Sequence, residues 1–202
     1  KYVPTTGQTR FTALSSGGVD ILARNSTWTF SRDTDLKLDF VGVNYYDGQG
    51  FMVRKDLGVT SAKELDGATV CIQTGTTTEL NLADYFTANN MAYQPVNIDS
   101  NAEGEQQYMA GAGVAYPTTA SGLAAPRAAF ADPENHIILP EIISKEPLGP
   151  AVRHGDNNWG DIVRWTLYAL IAAEEYGVTS ANIGELTTSS QNPEVQRLLG
   201  VT

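Results

Sequence analysis

The chain has 202 residues, enough for one sizeable domain or two small ones and for a substantial buried core. Its formal charge of -10, with only 13 basic residues, argues against nucleic acid, because such a binder must neutralise phosphates with clustered Lys and Arg. The same charge disfavours anionic membrane surfaces, while 42% hydrophobic and 18% charged residues are ordinary for a soluble globular protein.

The start Lys1-Tyr2-Val3-Pro4 carries no initiator Met and no signal peptide, and reads as a processed or truncated chain. Tyr2–Val3 is expected to open as a short strand. Residues 9–16 have the spacing of a short amphipathic helix stopped by Gly17-Gly18. Val19–Ala23 is expected to be a strand leading into a hydroxyl-rich loop. Two extended runs follow, Phe40–Tyr46 and Gly48–Val53, which either form a hairpin around Asp47-Gly48 or pass between domains. A short helix is expected over Ser61–Leu65.

Next come an expected strand over Ala68–Gln73, a loop over Thr74–Thr78 and a helix over 79–89, with Leu80, Leu82, Ala83 and Phe86 inward. A strand at 94–98, a helix at 103–110, a strand at 113–116, a helix at 122–130 and a strand at 137–139 complete the alternation. Such alternation predicts an α/β fold with largely parallel sheets. After Pro147-Leu148-Gly149-Pro150, residues 151–153 read as extended. Asp156 or Asn157 then caps the longest expected helix, 158–176, with Trp159, Ile162, Val163, Thr166, Leu170 and Ala173 near one face. The longest apolar segment, Trp165–Ala173, is too short and too interrupted for a membrane span and is expected in a packed core. A last helix is expected at 193–199. Domain boundaries fall in extended segments near Asn44–Gly50 and Glu146–Val152, and two crossings would make a second lobe an insertion in the first.

Cys71 is the lone cysteine, so no intrachain disulfide can form, and its neighbours Val70 and Ile72 mark it as a buried small hydrophobe. Neither His136 nor His154 has a context that would make it a thiolate's partner. No metal-ligand spacing, nucleophile elbow or CxxC is present, so no catalytic residue, no metal and no cofactor is expected. Glu141, Glu174 and Glu175 read as solvated carboxylates.

Two segments carry chemistry. Residues 23–34 hold five hydroxyl side chains and two arginines within twelve residues. Arginine offers a bidentate fork to a carboxylate, and hydroxyls take its remaining lone pairs, so the loop suits a small anion. The bland alternative pairs Arg32 with Asp33 or Asp35 at the surface. In the second segment, Thr76 and Glu79 match the S/T-x-x-E capping box. A glycine-flanked loop at a helix start is also an anion site, to which Thr77 would add a hydroxyl. Trp28, Tyr45, Tyr46 and Phe51 would give an apolar wall, although each singly is expected in the core.

The stretches Ser26–Thr34, Val43–Val53, Gln73–Leu80 and Leu139–Pro150 resemble the general L-amino-acid-binding proteins, periplasmic solute receptors of bacterial ABC importers. The likeness runs along nearly the whole chain. It implies a two-lobe, hinge-closing α/β fold, with residues 1–46 and 149–202 in the first lobe and 47–148 in the inserted second. Family members begin well upstream, so the first lobe is expected to be incomplete here, lacking a strand and helix. The resemblance implies that Arg32 clamps a ligand α-carboxylate, with Asn25 and Thr27 beside the ligand and Arg24 near its side chain. Thr76 and Thr77 would hold the same carboxylate from the second lobe.

The chain departs from the family over Gly113–Ser121. The family has Cys and Asp where Gly113 and Val114 stand, and an Asp where Thr119 stands. That cysteine would pair with Cys71, and that aspartate would take the ligand's α-ammonium. The implied function is capture of a small L-amino acid for a membrane permease by a monomeric periplasmic receptor that is not an enzyme. The alternatives are a small-carboxylate dehydratase-like enzyme on the same scaffold, or a binding-impaired variant.

Overall fold

Residues 1–201 are described by a computed structural model, in which the alternation over residues 68–98 forms the most regular part. Strand β4 (Ala68–Gln73) follows three short strands nearer the N-terminus: β1 (Leu38–Phe40), β2 (Tyr45–Asp47) and β3 (Gln49–Arg54). Helix α3 (Thr77–Ala88) leads to β5 (Tyr93–Ile98), α4 (Asn101–Met109), β6 (Ala115–Thr119), α5 (Ala120–Ala129) and β7 (His136–Ile138). Strands β8 (Glu146–Leu148) and β9 (Ala151–Arg153) precede α6 (Asn157–Glu175), α7 (Ile183–Ser189) and α8 (Pro193–Leu198). Nearer the N-terminus lie α1 (Thr9–Ser15) and the one-turn α2 (Phe30–Thr34).

The main sheet runs β5-β4-β6-β3-β7. Only β4 is parallel to its neighbours β5 and β6, while β3 is antiparallel to β6 and β7. The sheet is therefore mixed, not largely parallel as its β-α alternation implies. The reason is β3, which enters from the opposite direction and inserts between β6 and β7. Apolar side chains fill both faces: Phe51, Val53, Val70, Ile72, Leu82 and Phe86 on one, Met52, Cys71, Ile98, Tyr108, Tyr116 and Leu123 on the other. Cys71 is buried as expected, and burial pushes its thiol up.

No hairpin forms at Asp47-Gly48. Strand β2 instead pairs antiparallel with β8, Tyr46 opposite Pro147, so the two extended segments run side by side. A second small ladder joins β1 to β9 and covers Leu14, Leu22, Leu38 and Phe40. At this junction a Cβ placed on Gly149 would sit 1.9 Å from the Gly42 carbonyl oxygen. Backbone cannot yield as a side-chain tip can, so Gly149→Ala is expected to lose about 1–3 kcal/mol of stability in urea denaturation.

Several expectations do not hold. Tyr2–Val3 forms no strand, and Val19–Ala23 contributes only a bridge from Leu22 to Ala151. Leu80 faces out at 65% exposure, and α6 leaves Ile162, Trp165 and Leu170 exposed. Its buried residues are Gly160 and Val163, so the apolar stripe read from the sequence is present but largely uncovered by these 201 residues. Trp28, Tyr45 and Tyr46 are likewise exposed, and of the four aromatics only Phe51 lies in the core. Among the described residues no helix is long and apolar enough to cross a membrane.

Candidate functional site

The hydroxyl-rich segment does not remain a loop. Thr29 accepts a hydrogen bond from the Arg32 amide at 3.3 Å and caps the single turn α2. That turn folds Arg32 back beneath the extended residues before it. Its guanidinium is buried, donates from Nη1 to the Thr27 carbonyl at 2.9 Å, and lies over the Phe11 ring at 4.8 Å. Arg32 thus pairs with neither Asp33 nor Asp35. Trp28 Nε1 takes Asp33 instead, at 2.8 Å.

On the facing side, the capping box folds nearly as its spacing predicts. Thr76 Oγ1 accepts from the Glu79 amide at 3.3 Å, while Glu79 reaches one residue further back, to the Gly75 amide at 2.9 Å. Gly75 has φ +71°, the left-handed conformation that suits glycine at this tight entry. The helix therefore starts at Thr77, two residues earlier than expected, with Thr77 and Thr78 in its first turn.

Between the two segments lies a cavity of about 210 Å³. Arg24, Asn25, Thr27, Thr76, Thr77 and Thr119 all line it. Arg32 does not, since its fork is turned toward Thr27 and Phe11. The cation in its place is Arg10 of α1, which sequence reasoning missed. Arg10 is only 4% exposed and donates from Nη1 to the Asn25 carbonyl at 2.6 Å and to Ser26 Oγ at 3.1 Å. Its Nε is buried and has no partner among the described residues. Burial, then the Arg32 and Arg24 guanidiniums, push Arg10 down to about 9 against the pull of Glu146. Burial also lowers Arg24 and Arg32. All three remain cations at neutral pH.

The second missed residue is Glu146, at the start of β8. It is 3% exposed, and its carboxylate accepts from Thr27 Oγ1, from Thr77 Oγ1 at 3.0 Å, from Asn81 Nδ2 at 2.7 Å and from Ser144 Oγ at 2.7 Å. Thr27, expected beside the ligand, and Thr77, expected to hold its carboxylate, do share one carboxylate. It belongs to the chain itself. Thr27 and Thr77 are also within 3.4 Å of each other. Glu141, expected to be solvated, is instead half-buried and accepts from Ser61 Oγ and, at 3.0 Å, from the Ala62 amide.

A larger cavity, about 700 Å³, opens beside α6 and shares Arg24, Asn25 and Leu148 with the first. Its wall is mostly apolar, with Ile21, Val163, Leu167 and Leu170. Polar groups converge in the smaller cavity, which is therefore the candidate ligand site. Its size, below the roughly 300–1,000 Å³ of drug-sized pockets, suits a metabolite of few heavy atoms.

No protein-family model matches the chain. It is 72% identical over 201 residues to the glutamate/glutamine/aspartate/asparagine-binding protein BztA of Rhodobacter capsulatus, covering all of this chain and 60% of that protein. It is 58% identical over 200 residues to the general L-amino acid-binding periplasmic protein AapJ of Rhizobium johnstonii, covering 99% of this chain and 58% of that one. A solved ABC transporter/periplasmic binding protein from Brucella ovis, with glutathione bound, superposes with a TM-score of 0.92 at 55% identity. That match covers all of this chain and 63% of the other. The chain thus spans about three fifths of the length of these relatives. At such identity along its whole length, the chain is homologous to amino-acid-binding periplasmic proteins of ABC transporters.

Proposed function

We propose that the protein is the periplasmic solute-binding component of an amino-acid ABC transporter and takes a small L-amino acid into the 210 Å³ cavity. The observation that carries this reading is convergence: six residues from segments far apart in sequence line one small polar cavity at the N-terminus of α3. Helix dipole, first-turn amides and guanidiniums all favour a carboxylate there. Residues 1–46 with 149–202 form one lobe and 47–148 the other, and the β2/β8 pair is the hinge between them. Arg32 acts behind the ligand, holding the Thr27 carbonyl. The receptor works as a monomer, performs no chemistry on its ligand and delivers it to permease subunits in the inner membrane.

Calorimetry of the 202-residue chain against a panel of L-amino acids tests this reading. Saturable binding of at least one, recovered unchanged by mass spectrometry, is the expected result. Absence of binding across the panel, or turnover of the ligand, would reject it. A companion prediction concerns Thr119, which lines the cavity without offering a charge. Thr119→Asp supplies an acceptor for an ammonium group and is expected to tighten amino-acid binding about tenfold or more. No gain in calorimetric affinity would remove position 119 from the site.

A further inference from the structure

The donors and acceptors of the cavity do not match a zwitterion. Among the described residues, its lining includes two guanidiniums, Arg10 and Arg24, and no Asp or Glu. The first turn of α3 adds a third electropositive element, because the amides at a helix start face no helical carbonyl. The nearest buried acid, Glu146, has no lone pair to spare: Oε1 takes Asn81 and Ser144, and Oε2 takes Thr27 and Thr77. An ammonium group entering here would meet cations and no free carboxylate.

The hydroxyl count points the same way. A threonine has one proton to donate. Those of Thr27 and Thr77 go to Glu146, and that of Thr76 goes to the Gln73 carbonyl at 2.7 Å. What remains for an anion is the guanidiniums, the α3 amides and neutral side chains such as Asn101 and Thr118. Arg10 in particular is buried, its Nε has no partner among the described residues, and two other guanidiniums lie close enough to disfavour its charge. An anion beside it relieves that repulsion, and does so strongly because the surroundings are water-poor.

We propose that the cavity selects small ligands with two carboxylates and gains nothing from an ammonium group. One carboxylate rests on the N-terminus of α3 and the other on Arg10 and Arg24. Acidic amino acids then bind as dicarboxylates, and a dicarboxylic acid with no amino group binds equally well. This deepens the amino-acid reading above and rests on the same cavity.

Calorimetry of the 202-residue chain at neutral pH with L-glutamate, L-glutamine and glutarate tests it. Glutarate is expected to bind within about threefold of glutamate, and both about tenfold or more tighter than glutamine, the worth of a charge-assisted contact. Glutamine as tight as glutamate overturns the proposal, as does glutamate binding without glutarate. The amino-acid reading survives either result. Glutarate binding with no glutamate binding overturns the proposal as well, and the amino-acid reading falls with it only if no other amino acid binds; if nothing binds, both fall.

A second arm uses Arg24→Gln, because Arg24 is less buried than Arg10 and its loss threatens the fold less. The variant is expected to weaken glutarate about tenfold and glutamine by much less, with an unaltered thermal midpoint. Equal weakening of both ligands would show that Arg24 does not hold the second carboxylate.

Discussion

Replacing Glu146 with alanine is expected to lower folding stability by about 3–5 kcal/mol, the usual loss when one partner of a buried charge cluster is removed. Glu146 satisfies four donors at once, two on the α3 side, one on the residue 23–34 segment and one on its own strand's approach. It is also the carboxylate whose field supports the buried Arg10 and Arg32. Truncation strands the donors and leaves two guanidiniums without their counter-charge, so desolvation and Coulomb effects act in the same direction. For a chain of this size the loss corresponds to roughly 6–20 °C in thermal midpoint. Glu146→Gln keeps the volume and one acceptor oxygen, and should lose less than alanine while still losing the charge. An alanine variant within about 1 kcal/mol of the parent in urea denaturation would mean that the cluster is neutral to stability.

Glu146 also shows where sequence reading stops. Its motif, Leu139–Pro150, is one of the four that carry the family resemblance, yet nothing local marks its glutamate as buried. Its partners Thr27 and Thr77 are 119 and 69 residues away, and their meeting is a product of topology. Arg10 is similar. In isolation it sits on the polar side of a short amphipathic helix, and only Asn25 and Ser26, placed over it by the chain's return, turn it inward. Local signals were sufficient for the β4–α3 unit, because an apolar run, a glycine with positive φ and a capping box each act within a few residues. Five of the six expected residues that line the cavity lie in the two segments where hydroxyl and guanidinium side chains cluster, whereas Thr119 was named only through the resemblance. Local signals misled over α6, where periodicity reports which face is apolar and says nothing of what covers it. The three-residue strand β8 was legible only as part of an extended crossing, because its pairing with β2 gives it order that its composition, Glu-Pro-Leu, does not.

Converting Gly113 to cysteine is expected to produce a variant whose stability changes sign with redox state. A Cβ at Gly113 would lie 2.4 Å from Cys71 Sγ and 3.1 Å from the Cys71 amide nitrogen. Reduced, the new side chain is crowded against a sulfur in a filled core beside Met52, Tyr108 and Tyr116, and overpacking costs about 1–3 kcal/mol. Oxidised, that same closeness becomes a bond of about 2 Å between the two sulfurs, with the crowding largely removed. The crosslink closes a loop of about 40 residues and stabilises the fold by about 4 kcal/mol in the chain-entropy account. Burial raises the Cys71 thiol, which slows attack by its thiolate in the folded protein, so the bond should be formed during refolding under oxidant. Thiol titration and thermal melts with and without reductant supply the test: no free thiol and a raised midpoint when oxidised, a midpoint below the parent when reduced. Two titratable thiols after oxidative refolding would show that β4 and the segment before β6 are not held at the separation seen here. Success would show that position 113 has kept the backbone geometry of a crosslink that this chain does not make, because the geometry depends on β4 and β6 lying side by side and not on the sulfur.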